Sequence, residues 1–197
     1  MGPPPRLTAV RRKRRGRIAL EVDGTPWRVV PDDVVLRCGL APGIELERPL
    51  LRELRRELRR AEALDAALRT ISRRDASERR LRQRLAARGV RPAEADGAVA
   101  ALASAGLVDD ARLARTRAEA LAGAGWGDAA VEARLARDGV GREDVRAAVA
   151  GLEPERERAV RLVRGLEDPR AAWRLLARRG FGEDVIEDAV AVLDARR

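Results

Sequence analysis

The chain has 197 residues, a net charge of +9, one cysteine (Cys38) and no histidine. A lone cysteine excludes an internal disulfide and any multi-cysteine metal site, and the missing imidazole removes the usual general base, the usual catalytic triad and most zinc sites. The aromatic residues are Trp27, Trp126, Trp173 and Phe181 alone, and the apolar remainder is mainly Ala, Leu and Val, which favours slim helices packed through small side chains over large β-sandwiches.

Charge is unevenly spread. Residues 1–17 carry seven cations and no acid, and residues 50–90 carry thirteen arginines against six acids. Residues 18–49 carry three cations against six acids, and residues 91–197 carry eighteen against twenty. The positive field therefore belongs to the first half, which points to a polyanion such as DNA or to an acidic protein face. No apolar run reaches membrane-spanning length, and no hydrophobic segment follows the basic start, so a cytoplasmic protein without membrane contact is expected.

In chain order, residues 1–16 contain Pro3-Pro4-Pro5 and Arg11-Arg-Lys-Arg-Arg15 and read as a disordered basic tail. Ile18, Leu20 and Val22 then alternate with Arg17, Ala19 and Glu21. Asp23-Gly24 follows, and Trp27 and Val29 alternate on the return: a β-hairpin, with Pro26 marking an edge strand. Pro31-Asp32-Asp33 starts a short helix that Gly39 ends, and Pro42-Gly43 is a turn. Residues 17–49 thus form a small β-containing module.

From Leu50 the period changes. Leu51, Leu54, Leu58, Ala61, Leu64, Leu68 and Ile71 step by three and four, as on one long amphipathic helix, with Arg52, Arg55, Arg56, Arg59 and Arg60 on and around its polar face. Ser72-Arg-Arg-Asp75 breaks it. Ser77 caps the next helix, which stops at Gly89. One phrase is then written three times: Arg84-Leu-Ala-Ala-Arg-Gly-Val, Arg134-Leu-Ala-Arg-Asp-Gly-Val and Leu175-Leu-Ala-Arg-Arg-Gly-Phe. Each glycine (Gly89, Gly139, Gly180) is followed by an apolar residue that can fold back on the last turn, and then by a helix whose first turn carries acids. Leader helices at about 50–72, 109–122 and 154–165 precede the three pairs. The expected fold is mostly α: three tandem three-helix repeats at 50–105, 106–152 and 153–197, in an elongated curved array that follows the N-terminal module.

No enzymatic constellation is legible. Asp109-Asp110 reads as a helix N-cap with a first-turn acid, not a metal site. Gly123, Gly125 and Gly127 form a linker, since neither the preceding strand nor the Gly-Lys-Ser/Thr of a phosphate loop is present, and Trp126 packs between repeats. Trp173 is expected in the core beside Leu176, and Cys38 is a small buried hydrophobe. No cofactor or metal is called for. The basic cluster remains: Arg73, Arg74, Arg79, Arg80, Arg82, Arg84 and Arg88, with the leader arginines Arg52, Arg55, Arg56, Arg59 and Arg60. Phosphate contact or an acidic protein groove is its favoured use.

Ser77-x-x-x-Leu81-x-x-x-Leu85-x-x-x-Gly89-Val90, Gly106-Leu-Val-Asp-Asp110 with Leu113-Ala114, Gly125-Trp-Gly127, Leu135-x-x-x-Gly139-Val140 and Leu176-x-x-x-Gly180-Phe181 occur in that order. Over about residues 64–197 this series resembles the bacterial regulatory protein family RecX, and residues 17–48 are similar to the small N-terminal β-module of some members. Two positions depart from the pattern: Arg80 stands where a capping-box Glu is usual, and Leu113 where an aromatic is usual. The resemblance implies three tandem three-helix repeats and no enzyme activity. It implies binding to the RecA recombinase filament on single-stranded DNA, inhibition of ATP hydrolysis and strand exchange, and action in DNA repair and the SOS response; a monomer is expected. Single-stranded DNA, and for some members double-stranded DNA, is a further implied partner. Capping a filament end and coating its groove both remain open. A DNA-binding module that competes for single-stranded DNA is the alternative reading, and an adaptor without nucleic acid is a third.

Overall fold

The computed structural model describes residues 4–194, without the side chain of Asp194. It divides into two compact units. The first runs to Thr70 and adds Leu85–Ala101; the second takes Ile71–Arg84 and everything from Leu102 on. This division runs through the expected repeat 50–105.

The first unit opens with a three-stranded antiparallel sheet, β1 (Leu7–Lys13), β2 (Arg17–Val22) and β3 (Thr25–Pro31), in that spatial order. The β2–β3 hairpin is the one expected. Asp23 and Gly24 both take positive φ at its tip, as a two-residue turn of this hand requires. β3, which holds Pro26, lies at the edge. The disordered tail expected over 1–16 is corrected: residues 7–13 are β1, paired along β2 from Leu7↔Val22 to Lys13↔Arg17. Residues 1–3 of that tail lie outside the described residues. The physical reason is Leu7, fully buried, whose amide donates to the Ile44 carbonyl at 2.8 Å. Burying one leucine is worth about 1.5–3 kcal/mol, and the backbone bonds add to it, so a strand that ends in the exposed cations Arg11, Arg12 and Lys13 is still held down.

Beneath the sheet, Ile18, Leu20 and Val30 meet Val34 and Val35 of α1 (Asp32–Arg37) and Leu54 and Leu58 of α2 (Arg48–Ile71). Cys38 is buried in this core as expected, and burial pushes its thiol pKa up, with Glu53 and Glu57 adding to the shift.

Helices α3 (Glu78–Ala86) and α4 (Pro92–Ser104) follow α2, and then come two further triplets. In the second triplet, α5 (Asp110–Gly123), α6 (Asp128–Arg137) and α7 (Arg142–Ala150) share a core of Leu113, Ala114, Ala118, Val131, Leu135, Val140, Val145 and Ala148. In the third, α8 (Glu155–Val163), α9 (Pro169–Arg179) and α10 (Glu183–Asp194) bury Ala159, Val163, Ala172, Leu176, Phe181, Ile186, Ala189 and Leu193. The fold is mostly helical, with helices in tandem threes after a small sheet.

The helix ends share one device. In each thrice-written phrase the residue after glycine donates its amide five residues back: Val90 to Leu85 (3.1 Å), Val140 to Leu135 (3.2 Å) and Phe181 to Leu176 (3.2 Å). The glycine itself donates to the residue three before it, at 2.9–3.1 Å. That is the Schellman arrangement, and it needs the left-handed φ of 75–86° that these glycines adopt. The same bonds recur at Leu40→Val35, Leu107→Leu102 and Trp126→Leu121, across Gly39, Gly106 and Gly125. These last two sites were hidden in sequence, since only the thrice-written phrase draws the eye.

Trp173 departs from expectation. It is 38% exposed on α9, while Leu176, three residues on, is fully buried. Trp126 does lie between triplets: the Arg134 guanidinium sits 3.4 Å from its ring centroid and that of Arg179 4.8 Å.

Candidate functional site

Twelve arginines were expected to meet a polyanion. The structure sorts them by what each guanidinium already holds. On α2 the apolar stripe of Leu54, Leu58, Ala63, Ala66 and Ala67 faces inward. Glu57 sits within that stripe and is 5% exposed. A buried carboxylate needs cations, and Glu57 takes three: Arg37 at 2.8 Å, Arg60 at 2.8 Å and Arg56 at 3.5 Å. Arg59 holds Glu94 of α4 at 3.1 Å. Arg88 donates to the Thr70 hydroxyl at 3.0 Å and so ties the end of α2. Arg56, Arg59, Arg60 and Arg88 are therefore committed to holding the first unit together. Arg52 and Arg55, exposed on the same helix, have no acidic partner among the described residues.

The second unit contains the rest. Arg82 holds Glu78 at 2.9 Å, and Arg80 reaches the Gln83 amide oxygen at 3.3 Å. Arg73, Arg74, Arg79 and Arg84 have no acidic partner among the described residues. The three of them other than Arg84 are exposed, and Arg84 is half-buried. Arg73 and Arg74 lie in the turn before α3, Arg79 in its first turn and Arg84 in its last, and the start of α3 is firmly fixed. Ser77 accepts from the Arg80 amide at 3.2 Å, as an N-cap does, and donates to the Asp138 carbonyl at 2.7 Å. Asp110 accepts from the Glu78 amide at 2.9 Å, so an acid from α5 caps α3. Asp109 caps α5 itself through the Arg112 amide at 2.8 Å. The acid pair is thus two caps on two helices. Burial raises the Asp110 pKa above the ordinary carboxylate value. Glu78 and Asp144 add to this, while the Glu78 amide and Arg82 oppose it.

Sequence reasoning missed Glu57 and Asp110 as organisers of the arginines. A single acid between Leu54 and Leu58 was the available sign for Glu57. Nothing local marks Asp110, because the helix it caps lies 32 residues away.

A second cluster joins the second and third triplets. Arg158 of α8, 4% exposed, donates to the carbonyls of Glu153 (2.9 Å) and Trp126 (2.8 Å) and pairs with Asp128. Glu155 accepts from the Asp128 amide at 2.6 Å. Gly127 donates to the Arg179 carbonyl at 2.9 Å, with its own Cα packed on the Gly180 backbone. This cluster is architectural: its polar groups are all spent on one another.

No family model matches the chain. Curated relatives do. The regulatory protein RecX of Stenotrophomonas maltophilia is 37% identical over 145 residues, spanning 68% of this chain and 89% of that protein. RecX of Xanthomonas campestris is 38% identical over 125 residues, 58% of this chain and 77% of the relative. RecX of Chromohalobacter salexigens is 36% identical over 136 residues, 64% and 90% respectively. Among solved structures, a regulatory protein RecX superposes with a TM-score of 0.78 at 20% identity, covering 93% of this chain and 97% of that one. RecX from Lactobacillus salivarius gives 0.64 at 17% identity over 70% of this chain and 97% of its own. The structural likenesses speak for the fold, and the sequence relatives for the lineage: the chain belongs to the RecX family of regulatory proteins.

Proposed function

We propose that this chain is a negative regulator of homologous recombination that binds the RecA filament on single-stranded DNA and restrains its ATPase and strand exchange. The observation that carries the reading is the set of six guanidiniums, Arg52, Arg55, Arg73, Arg74, Arg79 and Arg84, that have no acidic partner among the described residues. Their neighbours in sequence are consumed by Glu57, Glu78 and Glu94, so these six are the ones left to meet a polyanion. Arg52, Arg55, Arg79 and Arg84 are mounted on capped or ion-paired helices, which lowers the entropy lost on binding, and Arg73 and Arg74 lie in the short turn between α2 and α3.

The test is DNA-dependent ATP hydrolysis by the cognate RecA with the chain added from sub-stoichiometric to equimolar amounts. Suppression across that range is expected, and no effect with folded protein overturns the proposal. The same free arginines also support a second reading, competition for single-stranded DNA. Replacing Arg73, Arg74, Arg79 and Arg84 by glutamine separates the two. Loss of DNA binding and of inhibition together favours competition, whereas inhibition that survives the loss of DNA binding favours direct contact with RecA. Phosphate contacts among these residues give a steep salt dependence, about 0.7 in log–log slope per contact on single strands.

A further inference from the structure

β2 is the middle strand, so the sheet of the first unit has two unequal faces. Ile18, Leu20 and Val30 go into the core. The opposite face carries Ala19, paired with Val29 on one side and Arg11 on the other. Val29 is 54% exposed and Trp27 is 41% exposed. An unpaired surface tryptophan on an edge strand is costly to leave in water, and its position here has a specific cause. Along β3 the register passes from Leu20↔Arg28 to Glu21↔Pro26, so Trp27 is the extra residue of a β-bulge. Bulges re-aim side chains, and at this one the indole stays 41% exposed. Ala19 beside Val29 is small and half-buried, and its other neighbour Arg11 reaches along the face to Glu21.

Cations frame this surface. Lys13, Arg14 and Arg15 at the β1–β2 turn are exposed and have no acidic partner among the described residues. Glu21 on this face is held by Arg11 at 3.1 Å, and Asp32 beside the turn spends an oxygen on the Asp33 amide at 2.8 Å. The net field over the sheet is positive. From the Glu21 row to the Arg17 row is four residues, roughly 13 Å at 3.3 Å per residue. That is a span for a few nucleotides laid along β2.

We infer that the outer face of the N-terminal sheet is a binding platform for single-stranded nucleic acid, with a base stacked on Trp27 and the backbone phosphates led toward Lys13, Arg14 and Arg15. An acidic protein would use the cations but has no use for an exposed indole. An unstacked base uses both. The platform shares no residue with the arginines at 52–88 and does not depend on the RecA reading.

The test needs no RecA: fluorescence anisotropy of a labelled oligo(dT) titrated with the full chain. Trp27→Ala weakens binding by roughly 5- to 100-fold, the range for one stacked base, while Trp27→Phe, which keeps a π-face, retains most of it. Lys13→Gln with Arg14→Gln flattens the log–log salt slope by about 1.4, at about 0.7 for each phosphate no longer neutralised. Lys13 and Arg14 are exposed, so their variants melt with the parent chain; Trp27 is partly covered, so binding of its variants is read at a temperature where thermal melts show them folded. Binding to a duplex of the same composition is insensitive to Trp27→Ala, since paired bases cannot stack on it. Unchanged oligo(dT) affinity in Trp27→Ala overturns the inference. So does an equal loss on duplex and single strand, or displacement of oligo(dT) by polyglutamate at equal charge.

Discussion

Gly123, Gly125 and Gly127 stand at alternate positions in one short segment, yet the same substitution has opposite consequences at its two ends. A Cβ on Gly127 would lie closer than 3.0 Å to the Gly180 carbonyl and the Phe181 amide nitrogen. Those are backbone atoms of the third triplet, so no rotamer change relieves the clash. Overpacking usually costs 1–3 kcal/mol, and a backbone clash belongs at the upper end. Any separation also lengthens the 2.9 Å bond from the Gly127 amide to Arg179, worth about 1 kcal/mol. Gly127→Ala is therefore expected to destabilise by roughly 3–4 kcal/mol, or on the order of 6–15 °C in Tm for a chain of this size. Gly123 ends α5 with helical φ and nothing within 4 Å of its notional Cβ. Gly123→Ala should thus gain up to about 1 kcal/mol from reduced unfolded-state entropy. Paired thermal melts by circular dichroism, with urea midpoints, give both values. A Gly127→Ala protein that melts with the parent, or a Gly123→Ala protein that falls as far as Gly127→Ala, refutes the claim that the triplets meet backbone to backbone.

Two more expectations concern buried charge. Arg158→Met strands Asp128 and two carbonyls, and loss of one partner of a buried pair costs about 3–5 kcal/mol, to be read from urea unfolding. Replacing Arg158 and Asp128 together should recover part of that loss in a double-mutant cycle. Asp110 has a folded-state pKa raised above its unfolded value, so it favours the fold when protonated and that contribution is lost as pH rises through the folded pKa. Asp110→Asn keeps an oxygen for the Glu78 amide without the charge. Its Tm relative to the parent should therefore climb from acid to neutral pH, and a flat difference across that window would count against burial as the cause.

Periodicity carried the helices. α2, α5 and α8 fall within two residues of their expected spans, because Leu and Ala at three- and four-residue steps leave few alternatives. The hairpin at Asp23-Gly24 was legible for the same local reason. β1 was not. The run of five cations at 11–15 outweighs Leu7 and Val10 in any composition window, and a register shift between Leu7 and Ala9 spoils the alternation. Trp173 was misplaced because helical spacing to Leu176 cannot say how wide the buried stripe is. For the arginines, sequence supplied the cluster but not its division. Which guanidiniums are spent depends on Glu57 and Glu94, and Glu94 lies 35 residues from the Arg59 that it pairs with.

The recurring helix stop has a consequence for how the chain folds. Each Schellman end is closed by bonds spanning no more than six residues, between a leucine or valine, a glycine and the apolar residue behind it. Such closures need no partner from elsewhere, so helix boundaries are set at the speed of local search, before the cores assemble. The exception is β1, whose pairing with the segment at Ile44 closes a loop of 37 residues. Helix formation should therefore precede closure of the Leu7–Ile44 contact in a refolding experiment.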